Sequence, residues 1–261
     1  MLDPPRRRRL LLACGLATCA ASLPLSPLDA HDIWIVSNAP GTETSAEIVF
    51  GDLIGPSLAD VKRIVSFDLV TTAGRTDLRP LLAEAKSNGH PVLKTKPFAA
   101  VPGALVAVTY DNGFWVRLPQ DKLETNTNPL LAPNAEDPHW TVKWGKELLG
   151  PGAYRMLLNT RLELIAMKDP FSAKAGSKLP VKVMLDGKPL AGADIAYTDG
   201  IEPLPDPKQP VAKSGADGIA QVPVPRAGPV LLTTDLMAPA AHPSLAKQDH
   251  LYASIAYDTS H

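Results

Sequence analysis

Proline narrows the folds open to this chain more than any other residue: there are 27 among 261 residues, most of them between short aliphatic and β-branched runs. Proline removes a backbone donor and breaks helix interiors, so this density argues against a helical bundle and fits strands joined by turns. The runs at 46–50, 64–70, 104–110 and 162–165 read as strands. Alternation is clearest at 179–185, where Leu179, Val181, Val183 and Leu185 share one face and Lys182 takes the other. One segment departs from this texture: 138–149 reads as a short helix stopped by Gly150-Pro151. The expected fold is all-β, with two β-sandwich domains and that one connecting helix.

The domain division follows the punctuation. After residues 1–30 comes an N-terminal β-domain, 31–151, and then a C-terminal one, 152–261. In the second, Asp186-Gly187 is a hairpin signal between alternating runs, and Ala216-Asp217-Gly218 marks a further turn. This is the pattern of an immunoglobulin-like or transthyretin-like sandwich of about 100 residues.

Residues 1–30 have the order of a secretory signal: the basic run Arg6 to Arg9, an apolar stretch from Leu10 to Leu25, and a small residue, Ala30, at the natural cleavage point. Arg7 to Leu11 also fits a twin-arginine pattern, so both export routes stay open. Pro24, Pro27 and Asp29 interrupt the apolar run short of the ~20 residues a spanning helix needs, so removal is expected rather than stable membrane insertion. Both cysteines, Cys14 and Cys19, leave with the signal, and with them any disulfide or thiolate chemistry. The processed chain carries 22 basic and 25 acidic residues, a formal charge of −3, which lacks the basic footprint of a nucleic-acid binder. The expected location is the periplasm.

Several segments carry a family resemblance: His31-Asp32-Ile33-Trp34-Ile35, Phe50-Gly51-Asp52, Leu162 to Ile165, Asp169-Pro170-Phe171, Lys174-Ala175-Gly176, and Leu179-Pro180-Val181 with Leu185 to Ala193. Together they resemble the DUF4198 family of exported proteins, often labelled periplasmic components of cobalt or nickel uptake systems. The resemblance implies metal handling and, as a possible partner, a component of a membrane transporter.

His31 supplies the chemistry. As a first residue it offers an α-amino nitrogen and an imidazole that chelate one ion together, and an α-amine, which ordinarily titrates at ~7.7 to 8, gives up its proton readily. A second imidazole would complete a three-nitrogen set suited to copper and acceptable to nickel or cobalt. The candidates are His90, His139, His242, His250 and His261, with His242 and His250 favoured beside the probable last strand, and with Asp32 or Asp249 as an oxygen ligand or orienting group. The candidate metal residues are thus His31, Asp32, His242 and His250, for a divalent nickel, cobalt or copper ion.

No enzyme is expected, because the chain has no Gly-x-Ser-x-Gly elbow, His-Glu-x-x-His helix or phosphate-cradling loop, and Glu43, Glu47, Asp52 and Asp68 read as solvated strand faces. A copper oxygenase built on the first histidine would need an open substrate face. The alternative to metal binding is an adhesion or envelope-binding module using Trp34, Trp115, Trp140 and Trp144 with Tyr110 and Phe114, residues that more often serve a core.

Overall fold

A computed structural model describes residues 31–38, 42–51, 56–119, 124–198 and 210–260; residues 1–30, the expected signal, and Asp52 and His261 lie outside the described residues. In chain order the first half forms β1 (Asp32–Ser37), β2 (Glu43–Thr44), β3 (Ala46–Gly51), β4 (Ile64–Thr71), β5 (Gly74–Asp77), β6 (Leu82–Ser87), β7 (His90–Thr95), β8 (Phe98–Ala99), β9 (Leu105–Arg117), β10 (Glu124–Asn126) and β11 (Glu136–Leu148). The second half forms β12 (Leu162–Ala166), β13 (Lys178–Leu185), β14 (Lys188–Pro189), β15 (Asp194–Thr198), β16 (Pro210–Lys213), β17 (Ile219–Pro223), β18 (Pro229–Pro239) and β19 (Gln248–Asp258). Helical geometry among the described residues is confined to three-residue 3-10 turns. The molecule is all-β, as its prolines and alternating runs require.

A nine-stranded sheet, in the order β16-β15-β18-β19-β11-β9-β4-β5 with β10 on β9, forms a middle layer. The sheet β1-β3-β7-β6 packs on one face, where Ile33, Ile35, Ile48 and Leu93 meet Phe67, Val106 and Val108. Strands β12, β13, β14 and β17 pack on the other, where Leu164, Val181, Val183 and Val222 meet Leu232, Leu251 and Ile255. The two sandwiches therefore share one sheet, and strands from either side of residue 151 meet in it at the parallel pair β11–β19, from His139↔Gln248 to Leu148↔Tyr257.

The segment expected to be a helix, 138–149, is instead the central strand β11, hydrogen-bonded to β9 on one edge and β19 on the other. Its period is two: Val142, Trp144 and Leu148 enter the C-terminal core, while His139, Thr141, Lys143, Gly145 and Glu147 face the N-terminal layer. A strand buried on both faces loses the simple apolar-polar signature, and Lys143, Lys146 and Glu147 imitate the solvated side of a helix. Gly150-Pro151 ends a strand as readily as a helix.

The polar face of β11 has a structural purpose. Strand β1 lies at the edge of its sheet, so its outer backbone groups need partners. Lys143 Nζ donates to His31 O at 2.5 Å, Ser254 Oγ donates to Ile33 O at 2.7 Å, and Glu147 accepts from Ser37 N at 2.9 Å. Gly145 permits the approach: a Cβ there would lie 3.1 Å from Val108 Cγ1 and 3.2 Å from Ile33 O.

Burial pushes the Glu147 carboxyl up to about 7, against the pull of the Ser37 hydrogen bonds. The folded state thus holds this proton more tightly than the unfolded chain. The group favours folding at low pH by about 3 kcal/mol, a contribution that fades as pH rises from the ordinary carboxylate value through about 7. The melting temperature of Glu147→Gln, whose amide can both accept from Ser37 N and donate to its hydroxyl, is expected to fall less than the wild type's between pH 4 and pH 8. Parallel curves in a thermal-melting series would contradict this assignment.

Candidate functional site

Where β1 begins, a cleft of about 580 Å³ opens. The parallel register fixes part of its floor: Thr141↔His250 and Lys143↔Tyr252 are neighbours on β11 and β19, and His139 precedes Thr141 by two on the same face. Strand β9 adds Tyr110, Asn112 and Trp115. Tyr110 and Trp115, five residues apart, would face opposite sides of an unbroken strand. The register shift opposite Thr141 and Val142, with Gly113 at φ +78°, brings both to the cleft. His31, Phe50, Leu58, Asp60, Arg63, Glu124 and Asn126 complete the lining.

His31 is held at its carbonyl. That carbonyl accepts a hydrogen bond from Lys143 Nζ, and the ring stands edge-on to Phe50 at 5.3 Å. Lys143 Nζ also sits 3.4 Å from the Tyr252 ring centroid, on a side chain only 1% exposed.

The two other cleft histidines are 6.0 Å apart, ring to ring, and differ in what their nitrogens can do. His139 Nδ1 lies 3.1 Å from Asp137 O; a carbonyl only accepts, so Nδ1 carries the proton and the Nε2 lone pair faces outward from that bond. Burial pushes the His139 pKa down, which keeps the ring neutral, the form a metal requires. A ring whose far nitrogen is fixed by a carbonyl is the usual arrangement of a ligating imidazole. His250 is committed at both nitrogens: Nε2 pairs with Asp235 Oδ2 at 2.9 Å, and Nδ1 lies 3.0 Å from the Tyr252 hydroxyl. Burial raises the Tyr252 pKa, so that hydroxyl keeps its proton and donates it.

Of the metal residues favoured from sequence, His31 and His250 line this one cleft, as do the further candidate imidazole His139 and the aromatic candidates Tyr110 and Trp115. Asp32, in β1, does not line it. His242 packs its ring 5.2 Å from that of Trp140, which projects from the opposite face of β11. Asp249 also faces away: it accepts from Arg161 Nη1 at 2.5 Å and from Ala241 N at 2.6 Å. His90 is exposed on the outer sheet. Among the described residues no three His, Cys, Asp or Glu side chains converge to hold a metal ion. Lys143 and Arg63 are cleft residues the sequence reading did not name, and His139 was among its candidate imidazoles without being one of the two favoured. His139 and Lys143 lay in the segment read as a helix, though alternation on a strand would have placed them, with Thr141, on one face.

Fold and cleft define an all-β protein in which two sandwiches share a sheet and three histidines line a cleft at the start of the first strand. The chain belongs to the DUF4198 family, described as a domain of unknown function, whose family model matches residues 28–238. No curated protein matches it. Among solved structures it is similar to a chimeric titin Z1Z2-Z1Z2 tandem functionalized with a GRGDS exogenous peptide from fibronectin, at 10% identity over 87% of this chain and 96% of that one. The TM-score of that match is 0.18, which carries no argument.

Proposed function

We propose that this is an exported periplasmic protein that binds a transition-metal ion, nickel, cobalt or copper, in the histidine-lined cleft and passes it to or from a membrane transporter. One observation carries the reading: His31, His139 and His250, dispersed through the sequence, line a single cleft. After signal removal His31 would bring its amine and imidazole to the ion, and His139 would offer Nε2. The carbonyl bond from Lys143 holds the residue at the cleft. The label of cobalt or nickel uptake that the family often carries points the same way, and Lys143 serves the site by positioning His31 rather than by binding the ion.

The test is calorimetric titration of Co(II), Ni(II) and Cu(II) into protein that begins at His31 and into protein carrying one extra residue before it. One-to-one binding that strengthens from cobalt to copper, and that weakens more than about 100-fold with the extension, is expected, because loss of a direct ligand exceeds the 10–100-fold cost of disturbing a ligand's support. Equal or negligible binding by both proteins would sink the site. It would favour a non-metal ligand, a reading that the Phe50, Tyr110 and Trp115 walls support.

A further inference from the structure

One carbonyl organises the wall of the cleft that β9 and β10 supply. Asn112 O accepts from Arg63 Nη1 at 2.6 Å, from Asn126 Nδ2 at 2.7 Å and from Trp115 Nε1 at 3.2 Å. Arg63 is tied further, through Nη1 to Asn112 Oδ1 at 3.1 Å and through Nη2 to Asn126 Oδ1 at 2.7 Å. A guanidinium, an amide and an indole, all planar, are thereby fixed around a single oxygen, and all three line the cleft. The indole spends its one polar atom on its own strand, so what a half-buried Trp115 offers a ligand is apolar ring surface. Asn112 is nine-tenths buried and gives only oxygens to these bonds, which leaves its side-chain N–H groups for a ligand.

Charge in the cleft is answered within the protein. Arg63 lies 3.8 Å from Asp60, Glu124 lies 3.8 Å from Arg117, and Lys143 is engaged with His31 O and the Tyr252 ring. An ionic ligand would therefore shed its water without gaining a counter-charge of its own, whereas a neutral ligand rich in hydroxyls gains hydrogen bonds at no such cost. The volume, about 580 Å³, is that of a small-molecule site, but the lining is mostly polar where such sites are usually apolar. A wholly apolar ligand would leave those polar groups without partners. A pyranose ring, apolar on its C–H face and polar around its rim, matches an indole bordered by planar amides.

We infer that this wall of the cleft binds a short neutral saccharide, one ring stacked on Trp115 and its hydroxyls bonded to the side chains of Asn112 and Asn126. Arg63, already paired, holds the two asparagines in place. The inference does not rest on the metal-binding reading, whose ligands are His31 and His139, and it is tested with no metal present.

The experiment is titration of protein beginning at His31, in EDTA, with cellobiose, maltose and diacetylchitobiose, followed by calorimetry and tryptophan fluorescence; digalacturonate is the charged comparison. One-to-one binding of at least one neutral disaccharide, and none of digalacturonate, is expected. Trp115→Ala should weaken it about tenfold, as loss of a main aromatic contact does, and Trp115→Phe should restore most of the affinity. Circular dichroism identifies a variant that fails to fold, and saturation-transfer NMR on the wild type then decides independently: transfer concentrated on the C–H protons of one ring face supports stacking, and even transfer overturns it. Binding of none of the three disaccharides, equal binding of digalacturonate, or unchanged affinity in a folded Trp115→Ala overturns the inference. Disaccharide binding that appears only when Ni(II) replaces EDTA also overturns it. Nickel binding without saccharide binding overturns it and leaves the metal site standing, and saccharide binding without nickel binding does the reverse.

Discussion

Replacing Glu163 with alanine is expected to lower stability by about 3–5 kcal/mol, the cost of stranding a buried charge, and the melting temperature by roughly 10 °C for a chain of this size. Lys146 projects from β11 into the C-terminal sandwich and donates to Glu163 Oε1 at 2.7 Å, with both side chains about 5% exposed. Burial pushes the Lys146 pKa down, and Glu163 pulls it back. Glu163 also accepts from Leu158 N at 2.9 Å and Asn159 N at 3.0 Å, and so holds the connection between the two sandwiches. Alanine removes all three bonds at once. Lys146→Met should cost less, because the carboxylate keeps its two backbone donors. A urea-unfolding series checks both, and a loss below about 1 kcal/mol for Glu163→Ala would show that the pair relaxes into solvent.

The second large effect concerns the cleft. His139→Ala is expected to weaken nickel or copper binding more than about 100-fold, as removal of a direct ligand does, whereas His242→Ala, on the far face of β11, should leave it unchanged. His250→Ala should have an intermediate effect, since that ring reaches the cleft but spends its nitrogens on Asp235 and Tyr252.

Much of the architecture was legible in the residues. Alternation at 179–185 and the Asp186-Gly187 turn correspond to β13 and its hairpin with β14. Segment 138–149 was not, because a strand buried on both faces carries polar groups for another strand's edge, a purpose invisible until β1 is seen docking there. His139, one of the candidate imidazoles in that segment, was therefore not among the two favoured. His31 and His250 could be chosen from their positions in the sequence, but His242 looked equivalent to His250. The parallel register of β11 and β19 puts His250 at the cleft, and the packing of His242 on Trp140 puts it on the other face, both contacts about a hundred residues apart in sequence. Arg63 gave no sequence signal, since its significance lies in Asn112 and Asn126, brought to it by an irregular β9 and by β10.

The most direct test of the metal-binding account is the electron paramagnetic resonance spectrum of Cu(II) bound one-to-one to protein that begins at His31, read for nitrogens coupled to the ion. The account predicts three for the wild type, from the His31 amine, the His31 ring and His139, with one lost in His139→Ala. A spectrum unchanged by that substitution, and unchanged again by an extra residue before His31, would contradict it.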